Sequence, residues 1–452
     1  MSIGIPGTQG FGVGVCQLDP QLLQQAKLTP MEGYNDPTSD NYGNYIHENG
    51  SIMVWIPAFC YRIGKQANPL YQKYGENLIE ISDAENAGKE GWILHRAFID
   101  RGQQKAGVFV DKYLSSKHAN NYEPVSVKNG EIICMLYDYL PSTNPKYNMS
   151  FDMINDDQSL WGHIGDALVL AKRRGKQYVC LSSFVWSAIT MLAFAHAQAS
   201  TSDDVCAWYD PAGVLNWPKG NTSDGTCHDF RDASVSFTPS SFDKRHSLAG
   251  SGNPFAKTTH NGQNCGIADV SGNAMEPTIG IGYSEKYQSY MIMKPSASIY
   301  DFVRNEPGSD DDVCSDLTVW ERVPWDISVL DDTAAKQAID ANEKSSTVVR
   351  LGTKDNKGIF YKQSEGVEYS CCGVIPCQDA YHITDSSNLD QEDQITMFGT
   401  NAFKVQVGKD NLLYVGGYYN NSSRGGIFLR YISDLWTVPY RHCGMRVIGY
   451  ID

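Results

Sequence analysis

The sequence predicts an α+β chain with long loops, preceded by an extended N-terminal leader. Three observations point there. Short runs rich in β-branched and aromatic residues recur along the chain and end at Gly turns. The hydrophobic period becomes helical over one long central stretch. Between about 201 and 262 neither period holds, and Asp, Asn, Gly, Ser, Thr and Pro surround scattered Trp residues.

Residues 1–50 read as the leader, for assembly or attachment. "GIPGTQGFGVGV" and "YNDPTSDNYGNY" are strings of turn formers without apolar periodicity. A body over 51–452 follows. "SIMVWIPAFCYRIG", residues 51–64, reads as a strand with a Pro kink. "AGVFVDKYLSS" (106–116) and "EIICMLYDYLP" (131–141) read as two more.

"DDQSLWGHIGDALVLAKRRGK" places Leu160, Ile164, Leu168 and Ala171 on one helical face, with acidic residues leading and Gly175 as a stop. "FVWSAITMLAFAHAQA" is apolar nearly all round, so it predicts a buried helix that Ser183 can cap. His196 within it reads as a hydrogen-bonded core residue. Residues 284–345 read as an insertion, with a helical piece at "TAAKQAIDANEK". Short strands with Gly turns return over 358–452.

Composition narrows function. A net charge of −15 excludes the basic footprint of a nucleic-acid binder and opposes an anionic membrane surface. The opening residues lack the basic and apolar regions of a secretory signal, and no apolar run predicts membrane insertion. The expectation is a soluble protein made in a cytoplasm. The 12 Cys form no CxxC pair and no zinc spacing, so they read as reduced core thiols. P-loop, HExxH, GxSxG and GxGxxG motifs are absent. A pair of carboxylates could still cleave a glycan, but no pair is marked by its spacing.

A series of segments, in order, resembles the formylglycine-generating-enzyme-type domains. "MVWIPAFCYRIG" looks like their opening strand and "VFVDKYLSS" like their second. "GKQYVCLSSFVWSAITMLA" resembles their helix–loop–helix, with Leu181, Ser182 and Trp186 in matching places. "CGIADVSGNAMEP" resembles the family's Ser-Gly-Asn motif, with Met275 and Pro277 replacing two Trp, and "GMRVIGY" looks like the terminal Gly-Phe-Arg strand. The resemblance implies a C-type-lectin-like fold in which Asp269, Ser271, Gly272 and Asn273 form a structural turn. Copper-dependent members carry a Cys pair before the last strand. This chain has only Cys443 there, so the resemblance argues against that oxidase activity.

Residues 415–447, "VGGYYNNSSRGGIFLRYISDLWTVPYRHCGMRV", are more similar to the variable region of phage tropism determinants diversified by retroelements. Gly416, Gly417, Gly444 and Arg446 match the framework. This resemblance implies a non-enzymatic receptor-binding protein of the phage tail-fibre type, displaying a ligand surface over residues 414–442. The expected exposed contacts are Tyr418, Tyr419, Arg424, Arg430, Tyr431, Asp434, Trp436, Tyr440 and His442, of types common in binding hot spots. Implied partners are a host cell-surface receptor (protein or glycan) and virion tail proteins, in a homotrimer located in the virion tail. No cofactor is required. A structural Ca²⁺ would suit Asp and Asn oxygens in such loops. Three alternatives stay open: an oxidase of the formylglycine-generating class, a glycan-cleaving tail protein, and a structural virion component without a receptor.

Overall fold

The computed structural model describes residues 2–451, except 76–77, 118–122, 135–163, 212–216, 242, 285, 288, 303–313, 323–345, 351–380, 384–401, 407–411, 421–425, 428–429 and 433–441. Within them the chain is a mixed α+β protein in which helices are few and most strand pairs are antiparallel.

The first sheet has six strands in the order Leu28–Pro30, Asn44–His47, Ile52–Pro57, Gly107–Asp111, Val447–Gly449, Tyr178–Cys180. Its centre is buried on both faces, because Met53 to Ile56 and Val108 to Val110 are all buried. A strand covered on both sides has no polar face, which explains its continuous apolar run. The single strand expected over 51–64 is two. Pro57 closes the first, and Phe59–Ile63 pairs instead with Ile79–Asp83 and Ile93–Leu94.

The helix Ser183–Ala199 is buried along almost its whole length. Its cap is Ser182, whose side chain accepts the Val185 amide at 3.2 Å. Ser183, the expected cap, lies inside the helix and bonds Thr278 Oγ1 at 2.7 Å. The preceding helix is Ile164–Arg173, with Leu168 and Ala171 buried. Leu160 lies outside the described residues.

The second sheet runs Trp320–Arg322, Ser289–Met293, Glu276–Ser284, Leu412–Val415, Arg430–Ile432, Ala402–Gln406, Ser346–Arg350, Tyr381–Ile383. The expected insertion 284–345 therefore contributes two strands to a sheet, because Met291, Ile292, Met293 and Trp320 have apolar side chains to bury. Its expected helical piece lies outside the described residues, as does most of the strand expected over 131–141.

Residues 1–50 also depart from expectation. They are part of the body and not an extended leader. Leu28–Pro30 and Asn44–His47 are strands of the first sheet. Ile3, Phe11 and Val13 are fully buried in the main core. Glycines spaced between single large apolar residues let the chain thread a narrow channel, which periodicity cannot reveal.

Candidate functional site

The turn 269–273 is built from residue types that tolerate positive φ. Asp269 has φ 59°, Gly272 110° and Asn273 69°. At Gly272 a side chain is excluded, since a Cβ would lie 2.6 Å from the Asn221 carbonyl oxygen. The Asn273 side chain accepts from Ser247 N at 2.8 Å and donates to Ser247 O at 2.9 Å, so it stands in for a strand partner. Asp269 Oδ2 accepts from Gly250 N at 2.8 Å and Leu114 N at 3.3 Å. Burial raises the Asp269 carboxyl against the pull of Arg446 and these amides. Ser271 is buried, and its carbonyl lies against Gly220, where a Cβ would come within 1.0 Å.

This turn holds two distant segments through backbone bonds. Gly272 N donates to Gly416 O at 2.6 Å, and Tyr419 N donates to Asn273 O at 3.2 Å. Met275 N donates to His442 O at 2.7 Å, and Gly444 N donates to Met275 O at 2.8 Å. Gly416–Tyr419 and His442–Gly444 thus flank one frame. Their side chains meet as a consequence. Tyr418 stacks on His442 with ring centroids 4.3 Å apart and planes at 19°. Both residues are half-buried.

Tyr419, expected as an exposed contact, is only 2% exposed. Its ring meets His246 edge-on at 4.6 Å and His442 at 5.3 Å, with the Arg245 guanidinium 5.3 Å from its centroid. Arg430 and Tyr431 belong to a strand paired on both sides, opposite Val415 and Tyr414 on one neighbour and Phe403 and Lys404 on the other. Their backbone is sheet interior and not loop. Arg424, Asp434, Trp436 and Tyr440 lie outside the described residues.

Sequence reasoning missed Asp243, Arg245 and His246, which lie within the stretch read only as loops. Arg245 Nε donates to Asp243 Oδ1 at 2.8 Å. Burial pushes the Asp243 carboxyl up, but the Arg245 hydrogen bonds outweigh it and hold the group below the usual carboxylate range. The run of one acidic residue followed by Lys, Arg and His in "FDKRHS" was the available signal.

Behind the turn lie two buried ion pairs. Arg446 donates from Nε and Nη2 to the two oxygens of Glu276, at 2.7 and 2.8 Å. Its remaining nitrogen reaches the Asp111 carbonyl at 2.8 Å. Arg174 grips both oxygens of Asp111. Such fork-to-fork pairs fix geometry more than they add net stability. Lys112 is also buried, with Nζ 2.6 Å from Asn44 Oδ1 and 2.7 Å from Asn264 O, and burial lowers its ammonium to about 8.

All nine described cysteines are free thiols. Burial pushes Cys16 and Cys60 up to about 11 and Cys180 and Cys206 up to about 12, so little reactive thiolate forms there near neutrality. Among the described residues no three His, Cys, Asp or Glu side chains gather as metal ligands. No described helix is long and apolar enough to cross a membrane. No protein-family profile matches the sequence, and no curated protein is significantly similar to it.

Proposed function

We propose that the chain is a receptor-binding protein of the phage tail-fibre type, displaying a ligand surface over residues 414–442 on a C-type-lectin-like scaffold. The observation that carries this reading is the half-buried Tyr418–His442 stack, held over a turn that fixes both of its parent segments. A planar pair positioned by backbone bonds loses little entropy when a ligand covers it. The glycine framework around it is the part of the sequence that resembles the tropism determinants. In a homotrimer, three weak sites would act together through avidity. The partners are a host-surface protein or glycan and the virion tail.

Competition tests this. Purified protein is expected to block adsorption of the phage that carries it, in a saturable manner. Undiminished adsorption at saturating protein, with the protein folded, would count against receptor binding and favour a structural virion role.

A further inference from the structure

A second surface group stands beside the Tyr418–His442 stack. Asp243 and Arg245 lie on the loop that Asn273 holds through Ser247. Arg245 Nε donates to Asp243 Oδ1 at 2.8 Å and to Oδ2 at 3.1 Å, and Nη2 reaches the same carboxylate. The Arg245 amide bonds Oδ1 as well, at 3.1 Å. The pair is asymmetric towards solvent, because the Arg245 side chain is 38% exposed and that of Asp243 only 9%. The carboxylate lies inside and holds the guanidinium at the surface in one orientation.

One buried ring joins this pair to the stack. The Arg245 guanidinium lies 5.3 Å from the Tyr419 ring centre, and Tyr418 meets the same ring edge-on at 5.8 Å. His442 backs one face of the Tyr418 ring. A half-buried aromatic ring and a part-exposed guanidinium are thus set side by side by contacts within the protein, so a ligand meets groups that are already ordered.

A saccharide ring suits that combination. Its C–H groups carry a slight positive charge and pack on the negative face of an aromatic ring. A planar guanidinium spaces its N–H groups to meet two adjacent oxygens, as vicinal hydroxyls present them. Charge narrows the class. Asp243 offsets the guanidinium and the chain carries a net charge of −15, so a neutral sugar is favoured over an acidic one. A protein partner fits less well. Specific protein interfaces bury roughly 800 Å² per partner around an apolar centre. The large apolar side chains exposed among the described residues are Ile5, Ile46, Phe230 and Leu317, and none belongs to 243–247, 414–420 or 442–447, which build this face.

We propose that Tyr418, His442 and Arg245 form a saccharide subsite for a neutral sugar residue with vicinal hydroxyl groups. Tyr418 supplies the stacking face, His442 fixes it from behind, and Arg245 bonds the hydroxyl oxygens. This inference rests on the receptor reading and narrows its partner to a glycan.

The test measures binding of the full-length protein to host cells that are untreated, treated with mild periodate and then borohydride, or treated with protease. Periodate cleaves the carbon–carbon bond between vicinal hydroxyls and leaves the polypeptide backbone whole. Binding is expected to be saturable on untreated cells and to fall about tenfold or more after periodate. Arg245→Lys and Tyr418→Leu, each checked for a cooperative melt, are expected to bind untreated cells about tenfold more weakly. Full binding after periodate overturns the saccharide subsite, and its loss after protease instead leaves the receptor reading standing with a protein partner. Periodate-sensitive binding that both variants keep at wild-type strength overturns the placement of the subsite. Absence of binding to untreated cells overturns the receptor reading, and this inference with it.

Discussion

Arg446 and Glu276 form two parallel hydrogen bonds of 2.7 and 2.8 Å with both side chains fully buried. Glu276 lies three residues past the turn 269–273, where it opens the strand Glu276–Ser284, and Arg446 immediately precedes Val447–Gly449 of the first sheet. The pair therefore couples the framework turn to the sheet. Removing one partner leaves the other charge buried and unpaired. Glu276→Gln is expected to destabilise the protein by about 3–5 kcal/mol. Urea unfolding would measure it. A change below about 1 kcal/mol would show that the guanidinium finds another partner.

Gly272 is expected to tolerate no side chain. Gly272→Val combines strain at φ 110° with a contact 2.6 Å from Asn221 O, and should cost more than about 2 kcal/mol. Gly225 is the control. It also has positive φ, 69°, but nothing lies within 4 Å of its Cβ position. Gly225→Ala should cost about 1–2 kcal/mol, the conformational strain alone. Equal losses of melting temperature in the two variants would refute the role of the close approach.

The legible parts of this chain are those with a strong local pattern. The run 184–199 is apolar on nearly every helical face and so reads as a buried helix, and Asp, Gly and Asn at 269–273 are the residue types a turn with positive φ needs. The site itself was legible only in part. Tyr418 and Tyr419 are neighbours of the same type, yet one is half-buried and the other buried, because the second ring is enclosed by His246, His442 and Arg245. No periodicity encodes that. Asp243, Arg245 and His246 look like any charged loop: Asp243 and Arg245 pair locally, and only the meeting of Arg245 and His246 with the distant Tyr419 ring gives the group a place at this site. Residues 3–14 look like a tail because their burial depends on a channel made by residues 196–263.

That channel makes residues 2–16 essential to the body. Their removal uncovers the cavity left by Ile3, Phe11 and Val13 and frees the polar groups of His196, Asn261 and Gln263. Three large buried apolar side chains contribute roughly 5–8 kcal/mol together. A chain lacking residues 2–16 is expected to lose cooperative unfolding. A sharp thermal transition near the full-length temperature would contradict the integration of this segment.

Acid should destabilise the protein through its buried histidines. In His196 and His260, Nδ1 accepts a backbone amide, so the proton sits on Nε2 and both rings are neutral. Burial pushes His196 down to about 4 and His260 to about 3. Both folded values lie below the unfolded value near 6.5, so the unfolded chain takes up these protons first. The stability is fully present above about pH 6.5. It is lost as pH falls towards the folded values, at about 1.4 kcal/mol per pH unit for each histidine. His196→Gln keeps an acceptor and a donor but cannot titrate. Its stability between pH 6 and 4.5 should fall less steeply than wild type by about 1.4 kcal/mol per unit, and parallel slopes would rule the linkage out.

The adjacent tyrosines separate binding from folding. Tyr419 is enclosed by His246, His442 and Arg245, so Tyr419→Ala removes core and is expected to cost about 3–5 kcal/mol of stability. Tyr418 is half-buried and stacks on His442, so Tyr418→Ala should cost clearly less stability. If the stack is the centre of a ligand surface, the same change should weaken host-cell binding by about 1–3 kcal/mol per site. In a homotrimer the loss is amplified, because each weakened site also lowers the avidity of the other two. Thermal melts and cell-binding titrations on both variants make the comparison. A Tyr418→Ala protein that melts like wild type and binds like wild type would remove the stack from the ligand surface.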